Sequence, residues 1–143
     1  MKEDWEIWNN IIDRLVDQGI ENLGEDDQLI WRVNQFLFEI ESGGLSGFLY
    51  NVSPADGEVY EWTALRQTVN AINRLGQNDV SQVLRDILSR VEIPDRATST
   101  WEEFLEHADP EGSFEKVEEM VKQAIGPLYK KLSSFTAECY QAK

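Results

Sequence analysis

Apolar residues recur at spacings of three and four along almost the whole chain, and no stretch alternates strictly between apolar and polar. Three-and-four spacing is the period of a helix, whereas a half-buried strand needs a period of two. The sequence therefore predicts an all-α fold. The C-terminal segment shows the pattern most clearly. Phe114, Val117, Val121, Ile125, Leu128, Leu132, Phe135 and Cys139 are spaced by 3, 4, 4, 3, 4, 3 and 4 residues. Their mean spacing of about 3.6 is one α-helical turn. Gly126-Pro127 falls inside this stretch. A proline there removes a backbone donor and crowds the preceding turn, so a long, kinked C-terminal helix is expected from about Ser113.

The remaining elements follow from the same period and from stop signals. A first helix is expected from about Asp4 to Asn22, burying Trp8, Ile11, Ile12, Leu15 and Val16 and ending at Leu23-Gly24. A second starts at Asp26 or Asp27 as its cap, carries Leu29, Ile30, Val33, Leu37 and Ile40, and stops at Gly43-Gly44. Leu45 to Tyr50 reads as a short apolar turn, and Asn51 to Gly57 as a loop. A further helix spans about Glu58 to Leu75 with Trp62, Leu65, Val69 and Ile72 inward. The next runs from about Asp79 to Val91 with Val80, Val83, Leu84, Ile87 and Leu88 inward. Asp79 with Gln82, and Thr100 with Glu103, match capping-box spacing, the latter opening a short helix with Trp101, Phe104 and Leu105. The expectation is one domain over residues 1–143, a bundle of six or seven helices.

Charge bounds the function. Asp and Glu number 27 and Lys and Arg 13, for a net charge of −14. Nucleic acid and anionic membrane repel such a surface, so neither is expected as a direct partner. The acidity is uneven: residues 1–30 and 101–120 each carry −7, residues 31–100 carry −3 and residues 121–143 carry +3. Asp13, Asp17 and Glu21 follow at four-residue steps, as do Glu102 and Glu106, and Glu111, Glu115 and Glu119. Like charges at this spacing cost a helix roughly 0.2–0.5 kcal/mol per pair. A solvated face that keeps the protein dissolved is one reading. A surface that meets a basic partner is the other.

Catalytic chemistry is sparse. His107, the only histidine, has Glu103 and Glu111 four residues to either side, which leaves a small hydrolase as a rival reading. One Cys and one His give no zinc spacing. Asp109 to Ser113 resembles the start of a calcium loop, but the glycine is misplaced and the twelfth position is Met120. No metal, no cofactor and no enzymatic activity are expected. Cys139 continues the apolar stripe and is expected in the core. A lone cysteine forms no internal disulfide. The segment Met1-Lys2-Glu3-Asp4-Trp5 lacks a signal peptide's apolar run, and no run reaches the roughly 20 apolar residues of a membrane helix, so the expectation is cytoplasmic.

One segment carries a resemblance. Glu39-Ile40-Glu41-Ser42-Gly43-Gly44-Leu45-Ser46-Gly47-Phe48-Leu49-Tyr50-Asn51 is similar to the pattern E-x-x-N-G-G-F-x-Q-[FY]-x-x-N. Glu39, Gly43, Gly44, Phe48 and Asn51 fall on it, and Ser42, Leu45 and Gly47 depart from its Asn, Phe and Gln. With Trp62-Thr63-Ala64-Leu65 and the helix to Leu75-Gly76, the chain resembles the DMP19-like family over about residues 27–92. The resemblance implies an all-helical fold. For the characterised branch it also implies a DNA mimic that offers carboxylates to the DNA-binding surface of a transcription factor. The motif residues themselves read as structural: a helix stop at the glycines, Phe48 inward, and Asn51 capping or bonding backbone.

The leading expectation is an acidic protein-interaction domain whose contact residues are Asp13, Asp17, Glu21, Glu102, Glu103, Glu106, Glu111, Glu115 and Glu119. Its partner is a basic protein, either a DNA-binding protein or, in an immunity or antitoxin-like role, a toxin. A homodimer stays open. Duplex DNA carries one charge per roughly 1.7 Å of axis. One four-residue ladder supplies one per roughly 6 Å. Mimicry therefore needs two or three adjacent rows.

Overall fold

The computed structural model describes residues 4–52, 62–91 and 114–141. These hold five α-helices and one 3-10 turn, with no strand among the described residues. The helices are α1 (Asp4–Gln18), α2 (Glu25–Val52), α3 (Thr63–Arg74), α4 (Asn78–Val91) and α5 (Phe114–Gln141), and the 3-10 turn is Ile20–Asn22. The all-α class holds. Among the described residues five α-helices stand against the six or seven expected, and the short helix expected at Thr100 lies outside them.

Helix α2 is the centre of the bundle, packed by α1, α3 and α5, while α4 packs on α3 and reaches α5. All three neighbours run antiparallel to it. Arg14 of α1 bridges to Asp27, and Trp8 shares a recess with Asn34. Arg74 of α3 bridges to Asp26, and Gln67 shares a groove with Arg32. Tyr140 of α5 bonds Asp27, while Glu118 reaches Leu45. A helix surrounded in this way must be apolar on most faces, and α2 buries Leu29, Ile30, Val33, Phe36, Leu37, Ile40, Leu45, Phe48 and Leu49.

The first helix departs from expectation. It ends at Gln18, because Gly19 takes φ +80°, a left-handed conformation that stops a helix. Its buried line is Ile7 and Ile11, four residues apart, with Trp8, Ile12 and Leu15 half-buried. Val16, expected inside, is 78% exposed, since it stands about 100° round the helix from Leu15.

The second helix also differs. Gly44 breaks it as expected, at φ 71° and ψ −174°, a region essentially open to glycine only. The chain then re-enters a helix at once, so Leu45 to Tyr50 is helical and not a turn, and Asn51 closes that helix instead of opening a loop. Asp26 and Asp27 do not cap α2; they lie in its first turn and form ion pairs. Helix α3 begins at Thr63 rather than Glu58, since Trp62 is already non-helical. Trp62, Leu65, Val69 and Ile72 are buried, as are Val80, Leu84 and Ile87 of α4. Asp79 is not the cap of α4 but lies in its first turn, where its Oδ1 accepts the Val80 N–H at 2.9 Å, and Gln82 donates to Asp86 at 3.0 Å. In α5, which contains Pro127, Val121, Ala124, Leu128 and Leu132 are buried. Cys139, expected in the core, is half-buried.

Candidate interaction site

The junction of α1, the start of α2 and the end of α5 gathers the most polar chemistry in the described residues. Arg14 Nη1 lies 2.7 Å from Asp27 Oδ2, and Arg14 Nη2 donates to Tyr140 Oη at 3.1 Å. Tyr140 in turn donates to Asp27 Oδ1, so the three side chains close a ring of contacts across three helices. Arg14 Nε donates to Asn10 Oδ1 at 3.0 Å, which holds the guanidinium in place. The side chains are 35% exposed at Arg14 and 15% at Asp27, so solvent screens this pair less than an open one. Burial, then the hydrogen bond and charge of Asp27, push the Tyr140 phenol up to about 12, against an opposing pull from Arg14. Burial acts to lower the Arg14 pKa, but Asp27 and Tyr140 outweigh it and raise it.

An open recess of ≈790 Å³ adjoins this ring, lined also by Gly24, Glu25, Asp26 and Cys139. Asp13 and Asp17, exposed, lie on the same part of α1 as Arg14. Glu25 and Asp26, also exposed, begin α2. The Arg14–Asp27 bridge sets the end of α1 against the start of α2, so the exposed carboxylates of both helices belong to one end of the bundle, where Asp26 is paired with Arg74. Glu21 is not a third rung of the α1 ladder, because the helix has ended at Gln18 and Glu21 belongs to the 3-10 turn.

Glu115 and Glu119, both exposed, sit at the opposite end of the bundle. Their neighbour Glu118 accepts the Leu45 N–H at 3.2 Å, eighteen residues along α2 from Asp27. At 1.5 Å per residue the two acidic groups are about 27 Å apart. The structure therefore separates carboxylates that the sequence assigns to one surface. Glu102, Glu103, Glu106, His107 and Glu111 lie outside the described residues.

The Glu39–Asn51 motif builds the bend of α2. Gly44 lacks the Cβ that would strike the Glu118 carboxylate, and that carboxylate satisfies the first free N–H of the renewed helix. Phe48 is 1% exposed and meets Phe36 edge to face, with ring centroids 4.9 Å apart. Asn51 Nδ2 donates to Glu39 Oε1 at 3.0 Å, a side-chain partner rather than the backbone one expected, clasping the two ends of the motif across the bend. Glu39 Oε2 and Trp62 Nε1 are buried without a hydrogen-bond partner among the described residues. Gly43 is exposed and a Cβ there meets nothing.

Sequence reasoning missed Arg14, Tyr140 and Glu118. Arg14 and Asp27 were separately visible as ions in an acidic segment, but their pairing depends on the α1–α2 hairpin. Tyr140 had no signal beyond being the last aromatic of α5.

No helix of the described residues is long and apolar enough to cross a membrane. No curated protein and no solved structure matches the chain significantly. The family model of the DMP19-like proteins matches residues 21–137, from the 3-10 turn to four residues before the end of α5 and well beyond the segment of the motif. The chain belongs to the DMP19-like protein family.

Proposed function

We propose that this protein is a non-catalytic acidic interaction domain that mimics DNA, occupying the DNA-binding surface of a basic transcription factor. The observation that carries this reading is the gathering of exposed carboxylates from α1 and α2 at one end of the bundle. Asp13 and Asp17 stand on one helix, with Glu25 and Asp26 on the next, and the Arg14–Asp27 bridge holds the two helices together between them. Carboxylates drawn from two helices raise the charge density above that of a single ladder. Family membership and the net charge of −14 support it. Glu115 and Glu119, about 27 Å away, lie several Debye lengths off at physiological salt and form a separate acidic surface.

The purified chain, immobilised and exposed to extract from its own cells, tests the reading. A basic protein is expected to bind at low salt, elute as salt rises, and be displaced by duplex DNA. Changing Asp13, Asp17, Glu25 and Asp26 to their amides is expected to weaken capture while the helical circular-dichroism signal persists. A partner held equally at high salt, or indifferent to DNA, removes the proposal. A captured toxin in place of a regulator moves it to an immunity role.

A further inference from the structure

We propose that a recess between α1, α2 and α5, walled by Trp8 and Tyr129, receives an arginine side chain of the basic partner; this rests on the interaction reading above. The recess has a volume of ≈120 Å³, with buried Ile7, Ile30 and Leu132 at its base and Trp8, Asn34 and Tyr129 on its walls. Trp5 precedes Trp8 by three residues and is 63% exposed; Phe38 follows Asn34 by four and is 64% exposed. Residues so spaced are neighbours on a helix face, and the antiparallel register of α1 on α2 sets Trp5 beside the turn that carries Phe38. Tyr129 is itself 36% exposed. Aromatic surface gathered from three helices around one opening is the signature of an interaction site rather than of scattered surface hydrophobes.

The lining selects the occupant. Asn34 Nδ2 donates to Ile30 O at 3.0 Å, which leaves its Oδ1 as an acceptor on the wall. Glu41, seven residues on and so on the same face, lies near enough to Tyr129 that its charge, after burial, helps to raise the phenol above its ordinary value, and it adds negative charge at the rim. Aromatic faces, an amide acceptor and a carboxylate together suit a guanidinium, which stacks on rings and offers five donors. An apolar side chain would leave those acceptors unanswered, and an ammonium is more strongly hydrated and lacks the flat face. The Glu41 carboxylate beside Tyr129 favours a cation at this opening over an apolar occupant.

The test is an NMR titration of the full chain with a short arginine-rich peptide and with a lysine peptide of equal charge, at salt high enough to screen the general attraction. The arginine peptide is expected to bind more tightly and to shift the Trp5 and Trp8 indole N–H signals. Trp8→Ala is expected to weaken it about threefold to tenfold with net charge unchanged. Trp5→Ala and Phe38→Ser, at exposed positions that the fold does not need, are expected to weaken it in the same direction. Equal affinity for both peptides, or shifts confined to the α1–α2 acidic junction, overturns the proposal. So does a concentration-dependent dimer in sedimentation that Phe38→Ser abolishes, since the occupant is then a second copy. Capture that is lost on changing Asp13 and Asp17 but unaffected by Trp8→Ala preserves the DNA-mimic reading and discards the recess. Arginine binding at the recess without a DNA-displaceable partner does the reverse.

Discussion

Gly44 and Gly43 are neighbours with opposite tolerances. Gly44 holds φ 71° and ψ −174° with the Glu118 carboxylate where its Cβ would be. Gly44→Ala is expected to destabilise by about 1–3 kcal/mol, from backbone strain and a displaced carboxylate. Gly43→Ala has open space and an ordinary backbone, so it is expected to be neutral or stabilising by up to about 1 kcal/mol. Chemical denaturation of the two variants checks this contrast. A glycine pair at a helix stop was legible in the sequence. Which glycine takes the strained conformation was not, because Glu118, seventy-three residues away from Leu45, decides it.

The helices are joined at their ends by ionisable groups, and this makes the junction of α1, α2 and α5 sensitive to alkali. The Tyr140 pKa lies near 12 in the folded chain and near 10 unfolded, so between these values the unfolded state has lost a proton that the folded state keeps. Stability from this group is whole below about pH 10 and falls as pH rises towards 12. Tyr140→Phe is expected to cost about 1 kcal/mol at neutral pH through its lost hydrogen bonds, and to flatten the alkaline decline. Asp27→Asn removes a charge and changes the acceptor, so ultraviolet titration is expected to show the Tyr140 pKa shifting down towards its ordinary value. Helix existence and inward faces were readable for α3 to α5, where apolar spacing is long and regular. Helix α1 was misjudged because Ile20 and Leu23 continue the apolar spacing past Gly19, while the backbone turns away there.

Across the molecule most helix-end charges suit the helix dipole, but at the end of α1 charge is arranged against stability. Asp17 lies in the last turn of α1, which has no basic residue, so it faces the negative end of the helix dipole. Asp17→Asn is expected to raise thermal stability, by about 0.3–1 kcal/mol, while weakening capture of the basic partner. A residue that costs the fold but serves binding behaves in this way; a solubilising charge would gain stability with no loss of capture. The two acidic ends are expected to act independently. Neutralising Asp13 and Asp17 should reduce partner affinity and its salt slope, and neutralising Glu115 and Glu119 should leave both nearly unchanged, as titration calorimetry at two salt concentrations would show.

Apolar period, net charge and the Glu39–Asn51 motif are properties of adjacent residues, so an all-α acidic chain of this family could be read from the residues in order. Which carboxylates share a surface depends on how helices pair over dozens of residues. Only the antiparallel packing of α1, α3 and α5 on α2 decided it. That packing brought the end of α1 against the start of α2, set Glu119 at the far end, and drew Trp8 and Tyr129 to one opening, because α2 is buried by neighbours that all run antiparallel to it.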